Sequence, residues 1–313
     1  GEKVDPKTVI YCMLDPDSVI AVSISKSHAV FDIKYEPQQI TDAVVLLYCD
    51  GELVETLTYV VPPPPCEYCP PTPHSRYVSQ GTRPVPGSTY RIEAELPGMK
   101  MASGETKLPQ SVPILGIDTT EILTGWGVMQ MIVKVRISDP AIEDNFYRLT
   151  ANRIDGVYYG NKEEPWSPEI PVTVFQEDCS YSSYDEPLIV PQQEEEDLFG
   201  MYIENRYYLF SDELIAGKNY DLTLKIPHSW PDPDFYEFSH FNIRLESVSS
   251  ELYLYLRSLS AHQQTKDNFL TEPVLVYTNI ENGLGVVGAR VSSAVNIEIG
   301  EYPVNGVTYQ YGF

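Results

Sequence analysis

The chain is 313 residues long and carries 45 acidic against 21 basic side chains, a formal charge of −24 at pH 7. Charged residues make up 21 per cent of it, near the ordinary share of about 25 per cent, so the acidity reflects scarce Lys and Arg more than surplus carboxylates. That balance excludes a general polyanion-binding role, which needs Lys and Arg to displace counterions from phosphates, and no apolar run approaches the roughly 18 residues of a membrane helix.

The 26 prolines and 23 tyrosines point to short strands joined by ordered turns, because proline breaks helix interiors and interrupts central strands. The opening Gly1-Glu2-Lys3-Val4-Asp5 carries no signal peptide. Gly1 reads as a cloning scar or a trimmed terminus, and Glu2 to Lys7 as a polar tether following a lipidated cysteine. Residues 7 to about 28 read as two strands with a turn at Asp15-Pro16-Asp17-Ser18; Ile20 to Ser25 alternates apolar and polar, the mark of a half-buried strand. Ala43 to Val61 reads as a hairpin turning on Asp50-Gly51. The Pro-rich 62–73 reads as a stiff loop. Thr89 to Leu96 and Lys100 to Lys107 are further strands, which makes 1–108 an immunoglobulin-like β-sandwich.

Leu108 to Pro113 marks the boundary with a larger β-rich domain over 109–313. Val128 to Ser138, Phe146 to Ile154, Tyr202-Ile203, Tyr207 to Phe210, Tyr220 to Ile226 and Phe241 to Ser247 read as its strands, and 161–198 as an exposed acidic loop region. One amphipathic helix is expected near 249–264, packed on a sheet. Ser249 or Ser250 caps it, Glu251 sits in its first turn, and Leu252, Tyr255, Leu256 and Leu259 form an apolar stripe. Val286-Val287 and the alternating Ala294 to Ile299 close the chain. The fold class is thus mainly β, with two sandwich-like domains.

The five cysteines are Cys12, Cys49, Cys66, Cys69 and Cys179. Cys12 and Cys49 lie in strands. Cys66 and Cys69 form a CxxC between prolines, where a helix cannot start, so a thioredoxin-like role does not fit. A rigid loop clipped by a local Cys66–Cys69 disulfide, a redox or metal site, and two unrelated thiols are the readings left open; a zinc site needs about four ligands, and His74 alone does not complete one. No GxSxG elbow, P-loop, HExxH, EF-hand loop or dinucleotide fingerprint occurs. Asp232 and Asp234 are candidates for calcium, against a plain Pro-stiffened acidic turn, and Glu194 to Asp197 reads as a solvated charge run. No catalytic residue, cofactor or metal is assigned. Trp126, Trp166, Tyr181, Tyr184 and Trp230 are candidates for stacking on a sugar or docking a partner, with Trp166, Tyr181, Tyr184 and Trp230 preferred; the bland reading of any one of them is a strand or turn residue.

The run Ser250-Glu251-Leu252-Tyr253-Leu254-Tyr255-Leu256-Arg257-Ser258-Leu259, with Asn268-Phe269, Glu272-Pro273-Val274 and Asn279-Ile280-Glu281-Asn282-Gly283-Leu284-Gly285-Val286-Val287-Gly288, resembles a family of Bacteroidetes outer-membrane lipoproteins, domain-of-unknown-function family 4249. Phe210 to Lys218, Asn145-Phe146-Tyr147-Arg148 and Thr41 to Leu46 fit the same family, while the Pro-Cys insertion at 62–73 departs from it. The resemblance implies a lipid-anchored outer-membrane protein, on the cell surface or the periplasmic face, often encoded beside SusC-like TonB-dependent receptors. It implies an accessory, non-enzymatic binding or docking role in nutrient uptake with such a receptor as partner. A stand-alone module for a small glycan or peptide is the alternative, and a hydrolase comes third, since 45 acids always offer some pair of carboxylates at a workable distance. For Gly283, Gly285 and Gly288 the expectation is packing: a tight turn and a close backbone approach.

Overall fold

The computed structural model describes residues 5–28, 39–61, 75–125, 128–141, 143–157, 173–178, 186–189, 204–229, 236–265 and 274–299. Along the chain the strands are β1 (Thr8–Leu14), β2 (Ala21–Lys26), β3 (Val44–Cys49), β4 (Glu52–Thr56), β5 (Thr58–Val60), β6 (Ser75–Val78), β7 (Thr89–Glu95) and β8 (Ala102–Lys107). They continue with β9 (Ile114–Leu123), β10 (Met129–Ser138), β11 (Phe146–Val157), β12 (Thr173–Asp178), β13 (Leu209–Ser211), β14 (Asn219–His228) and β15 (Tyr236–Val248). Helix α1 (Ser250–Thr265) and β16 (Gly283–Glu298) follow. The protein is mainly β, with sandwich-like sheets and a single helix among the described residues.

The chain forms two compact units, and each is discontinuous. One holds Gly1–Ser111 with Ser247–Val291, the other Val112–Glu246 with Ser292–Phe313. Their first junction falls inside Leu108 to Pro113, where β8 has ended. A single cut there leaves α1 in the C-terminal part of the chain, yet its contacts group it with the first unit, because its first residues are tied to β16. Ser249 N donates to Ala289 O (2.8 Å), and Ser249 Oγ accepts from Ala289 N (3.1 Å) and, at the helix N-cap, from Leu252 N (3.4 Å).

In the first unit, β5-β6-β2-β1 and the first half of β16 make one sheet, and β4-β3-β7-β8 the other. Asp50 and Gly51, both at positive φ, form the tight turn between β3 and β4. Ile10, Leu14, Val22 and Ile24 from one sheet and Leu47, Ile92 and Ala94 from the other share one buried cluster. Each fully buried Leu, Ile or Val contributes about 1.5–3 kcal/mol. The sandwich is not complete within residues 1–108: β16 pairs in parallel with β1, Ile10 opposite Gly285. The pairing requires glycine there, because φ is +105° and a Cβ would stand 2.1 Å from Ile10 O.

The second unit packs β14-β10-β9 against a sheet containing β12-β11-β15, with β13 beside β11. Val133, Val135, Leu222 and Leu224 from the first sheet share a core with Tyr147, Leu149, Phe241 and Ile243 from the second. Two departures from the sequence reading lie here. Strand β12 occupies residues inside the expected loop region 161–198, because its backbone pairs antiparallel with β11 from Val157↔Thr173 to Asn152↔Asp178. Strand β9 was not foreseen; none of its residues is fully buried, so its sequence lacks a strong alternation.

Candidate functional site

Strand β1 reads Thr-Val-Ile-Tyr-Cys-Met-Leu, apolar on both of its faces. Ile10, Cys12 and Leu14 point into the core at 2 % exposure or less, while Tyr11 and Met13 face outward at 41 % and 38 %. The pairing register places Tyr11 opposite Ser23 of β2 and Val286 of β16, and Ser23 opposite Arg76 of β6. Val286, Tyr11, Ser23 and Arg76 therefore form one row across the outer face of the sheet.

Helix α1 covers only one side of that face. Leu252 is buried directly over Gly288, where a Cβ would come within 3.0 Å of Leu252 Cβ. Tyr255 and Leu256, expected on the apolar stripe, are only half-buried. The Tyr255 ring meets the Tyr11 ring edge to face, centroids 6.0 Å apart and hydroxyls 3.3 Å apart. The remaining face is an open groove of about 770 Å³, floored by Tyr11, Met13, Ala21 and Ser23, walled by α1 and closed at one end by the turn after β1. Its size falls in the range of about 300–1,000 Å³ typical of small-ligand clefts.

Charge is placed unevenly around the groove. At the turn, Arg290 Nε donates to Asp15 Oδ2 (2.9 Å), Asp15 Oδ1 accepts from Asp17 N (3.0 Å), and Arg83 Nη1 donates to the Asp17 carbonyl (2.6 Å). This network fixes the turn and balances Asp15, while the Asp17 side chain stands exposed. Arg76 is exposed on the other side of the groove, with no ion-pair partner among the described residues. Such a site can cover an apolar body, bond a polar group at Ser23 and hold opposite charges at separate points. Cys12 lines it through a residue whose thiol faces the core; burial pushes that thiol up to about 12, so it stays protonated and packs as a small apolar group.

The buried acids of the second unit serve another purpose. Asp139 accepts from Tyr147 Oη and, at 3.0 Å, from Gly217 N. Glu186 accepts from Thr223 N (2.7 Å), Tyr220 Oη (2.9 Å) and Leu188 N (3.2 Å). Burial, and then the neighbouring carboxylate, raises the Tyr147 phenol and pushes Tyr220 up to about 12. These groups tie loops to strands.

The side chains singled out from sequence, Trp166, Tyr181, Tyr184 and Trp230, lie outside the described residues. So do Cys66 and Cys69, Trp126, Cys179, Asp232, Asp234 and Glu194 to Asp197. The groove residues Tyr11, Met13, Arg76, Tyr255 and Arg290 were not foreseen as a site. The signal that pointed to them is the two-faced apolar run of β1, since a sheet strand with only one covered face alternates.

Residues 1–294 match the family described as a domain of unknown function, DUF4249. The chain belongs to that family. A search of curated proteins finds no match. The segments that carried the resemblance have structural work in the fold. Asn145 meets Asp212, whose Oδ2 accepts from Asn145 N (2.9 Å), and Tyr147 packs on Phe210 with centroids 5.1 Å apart. Asn279 acts as a strand partner for Val287, donating to its carbonyl (2.8 Å) and accepting from its N–H (3.0 Å). Its Nδ2 also reaches Glu105 O (2.9 Å), which joins this block to β8. Gly283 and Gly285 allow the backbone to approach β1, and Gly288 makes room for α1.

Proposed function

We propose that the protein is a non-enzymatic binding or docking protein of the cell envelope, held at the outer membrane by a lipid and serving a SusC-like TonB-dependent receptor in nutrient uptake. The observation that carries the binding role is the groove on the outer face of the first unit's sheet. Its Tyr, Met and Arg side chains are types enriched where proteins bind partners. Family membership supports the address, because the resemblance implies a lipid-anchored protein encoded beside such receptors. The net charge of −24 is compatible with attachment by a lipid rather than through the protein's own surface, since anionic headgroups repel it.

The test is to express the full-length gene in its native host, fractionate the membranes and capture the protein after mild cross-linking. Recovery in the outer-membrane fraction with a TonB-dependent receptor is expected. Recovery free of membrane, unlinked to any receptor, contradicts the reading. The groove's small-ligand size also favours a second reading, in which the protein binds a small glycan or peptide on its own. Binding that persists without any receptor distinguishes the two.

A further inference from the structure

We propose that the groove of the first unit takes a short peptide with free ends, its carboxylate at Arg76 and its amine at Asp17. The inference rests on the binding role proposed above and names the ligand class for that site.

Three observations lead to it. First, the floor is apolar where Tyr11 and Met13 stand outward, so it covers an aliphatic or aromatic side chain. Second, the charges are separated. Asp15 is balanced by Arg290, which leaves Asp17 as the acid at the turn, and Arg76 is the exposed cation two strands from Tyr11. A bare carboxylate or a bare amine satisfies one end only; a zwitterion satisfies both. Third, the spacing suits a peptide. From the Tyr11 row to the turn is four residues along β1, about 13 Å at 3.3 Å per residue, and β6 lies about 10 Å to the side of β1. The backbone positions that carry the two charges are thus about 16 Å apart, the span of roughly five extended residues. The volume of about 770 Å³ accommodates a ligand of this class. In a chain of charge −24, a cation in a groove with no ion-pair partner among the described residues also gives a carboxylate a favoured place to land.

The experiment is calorimetric titration of the whole protein with the pentapeptide Ala-Ala-Leu-Ala-Ala. It is run with free ends, N-acetylated, C-amidated and blocked at both ends, with the dipeptide Ala-Leu as the length control. Saturable binding of the free pentapeptide is expected, with each block weakening it by about tenfold, because a charge-assisted contact is lost. Ala-Leu, too short to reach both charges, binds weakly. Arg76→Gln abolishes discrimination against the amide but keeps that against the acetyl form; Asp17→Asn does the reverse. Both substitutions are at exposed side chains, and an unchanged thermal unfolding midpoint establishes that the variants fold. The four peptide forms test the proposal on the unaltered protein in any case. Equal binding of free and doubly blocked peptide overturns it, as does no saturable binding of the free form up to about 10 mM. An acidic oligosaccharide that binds in place of the peptide, and competes through Tyr11, overturns the peptide assignment while leaving the binding role standing.

Discussion

In the second unit, Asp139 and Glu186 are buried, and among the described residues their carboxylates accept from a tyrosine hydroxyl and one or two backbone N–H groups each. In the groove of the first unit, Asp17 and Arg76 are exposed, and the apolar side chains between them, Tyr11 and Met13, are left partly uncovered. The same residue types therefore do different work. A buried carboxylate with its donors satisfied holds a fold together, because losing it strands those donors without partners. An exposed charge beside an uncovered aromatic contributes little to folding and is available to a ligand. Substitutions in the two places should separate cleanly, stability changing in one and binding in the other.

The largest effect is expected where backbone meets backbone. Gly285→Val forces a side chain into Ile10 O at a φ of +105°, which breaks the β1–β16 pairing and costs about 4 kcal/mol or more. Soluble yield and urea denaturation measure it, and an unfolded or insoluble product is the expected outcome. Glu186→Ala strands the N–H groups of Thr223 and Leu188 and the Tyr220 hydroxyl. A loss of about 2–4 kcal/mol is expected in the same assay, with peptide binding in the first unit unchanged.

A smaller effect is expected from acid. The His228 side chain is fully buried and lies 3.6 Å from Glu121, and burial holds its pKa below the usual value. The unfolded chain therefore takes up the proton first, so stability is present above the unfolded-state pKa of about 6.5 and falls as pH drops below it. Urea midpoints should decline as the pH falls from 7, until Glu121, whose carboxyl burial holds above its usual range, takes up its own proton and works in the opposite sense. His228→Gln should flatten that slope. Asp221, held low by the Arg136 guanidinium, loses its contribution only at more acid pH, as it protonates below the ordinary carboxylate range. The smallest effect belongs to that pair itself. Arg136 meets Asp221 through two bonds of 2.8 and 3.0 Å at the surface, yet Arg136→Ala should leave the thermal midpoint almost unmoved, and still less moved in high salt.

Local signals made much of the fold legible. The alternation of Ile20 to Ser25, the Asp50-Gly51 turn and the Ser249 cap each have a short-range physical cause, and each appears where the sequence placed it. The parallel partner of β1 was not legible, because Thr8 and Gly283 are joined by a pairing that nothing local encodes. Strand β6 is four residues long and follows a proline-rich stretch, so its period is too short to read. The groove was hidden for the same reason as the pairing: Tyr11, Arg76, Tyr255 and Arg290 lie on four separate elements. The trace it left in sequence was the unbroken apolar run of β1, which reads equally as a strand buried on both faces.

The central claim is that ligand binds on the outer face of the β1–β2–β6 sheet. Methyl NMR of protein labelled at its six methionines tests it most directly, because Met13 stands in the groove at 38 % exposure while Met131 is buried in the core of the second unit. On titration with free-ended Ala-Ala-Leu-Ala-Ala, the Met13 methyl signal should shift saturably, the Met131 signal should stay still, and Arg76→Gln should move the midpoint of the shift to about tenfold higher peptide concentration. A Met13 signal that stays still while the peptide demonstrably binds, or one that moves no more than Met131, contradicts the account.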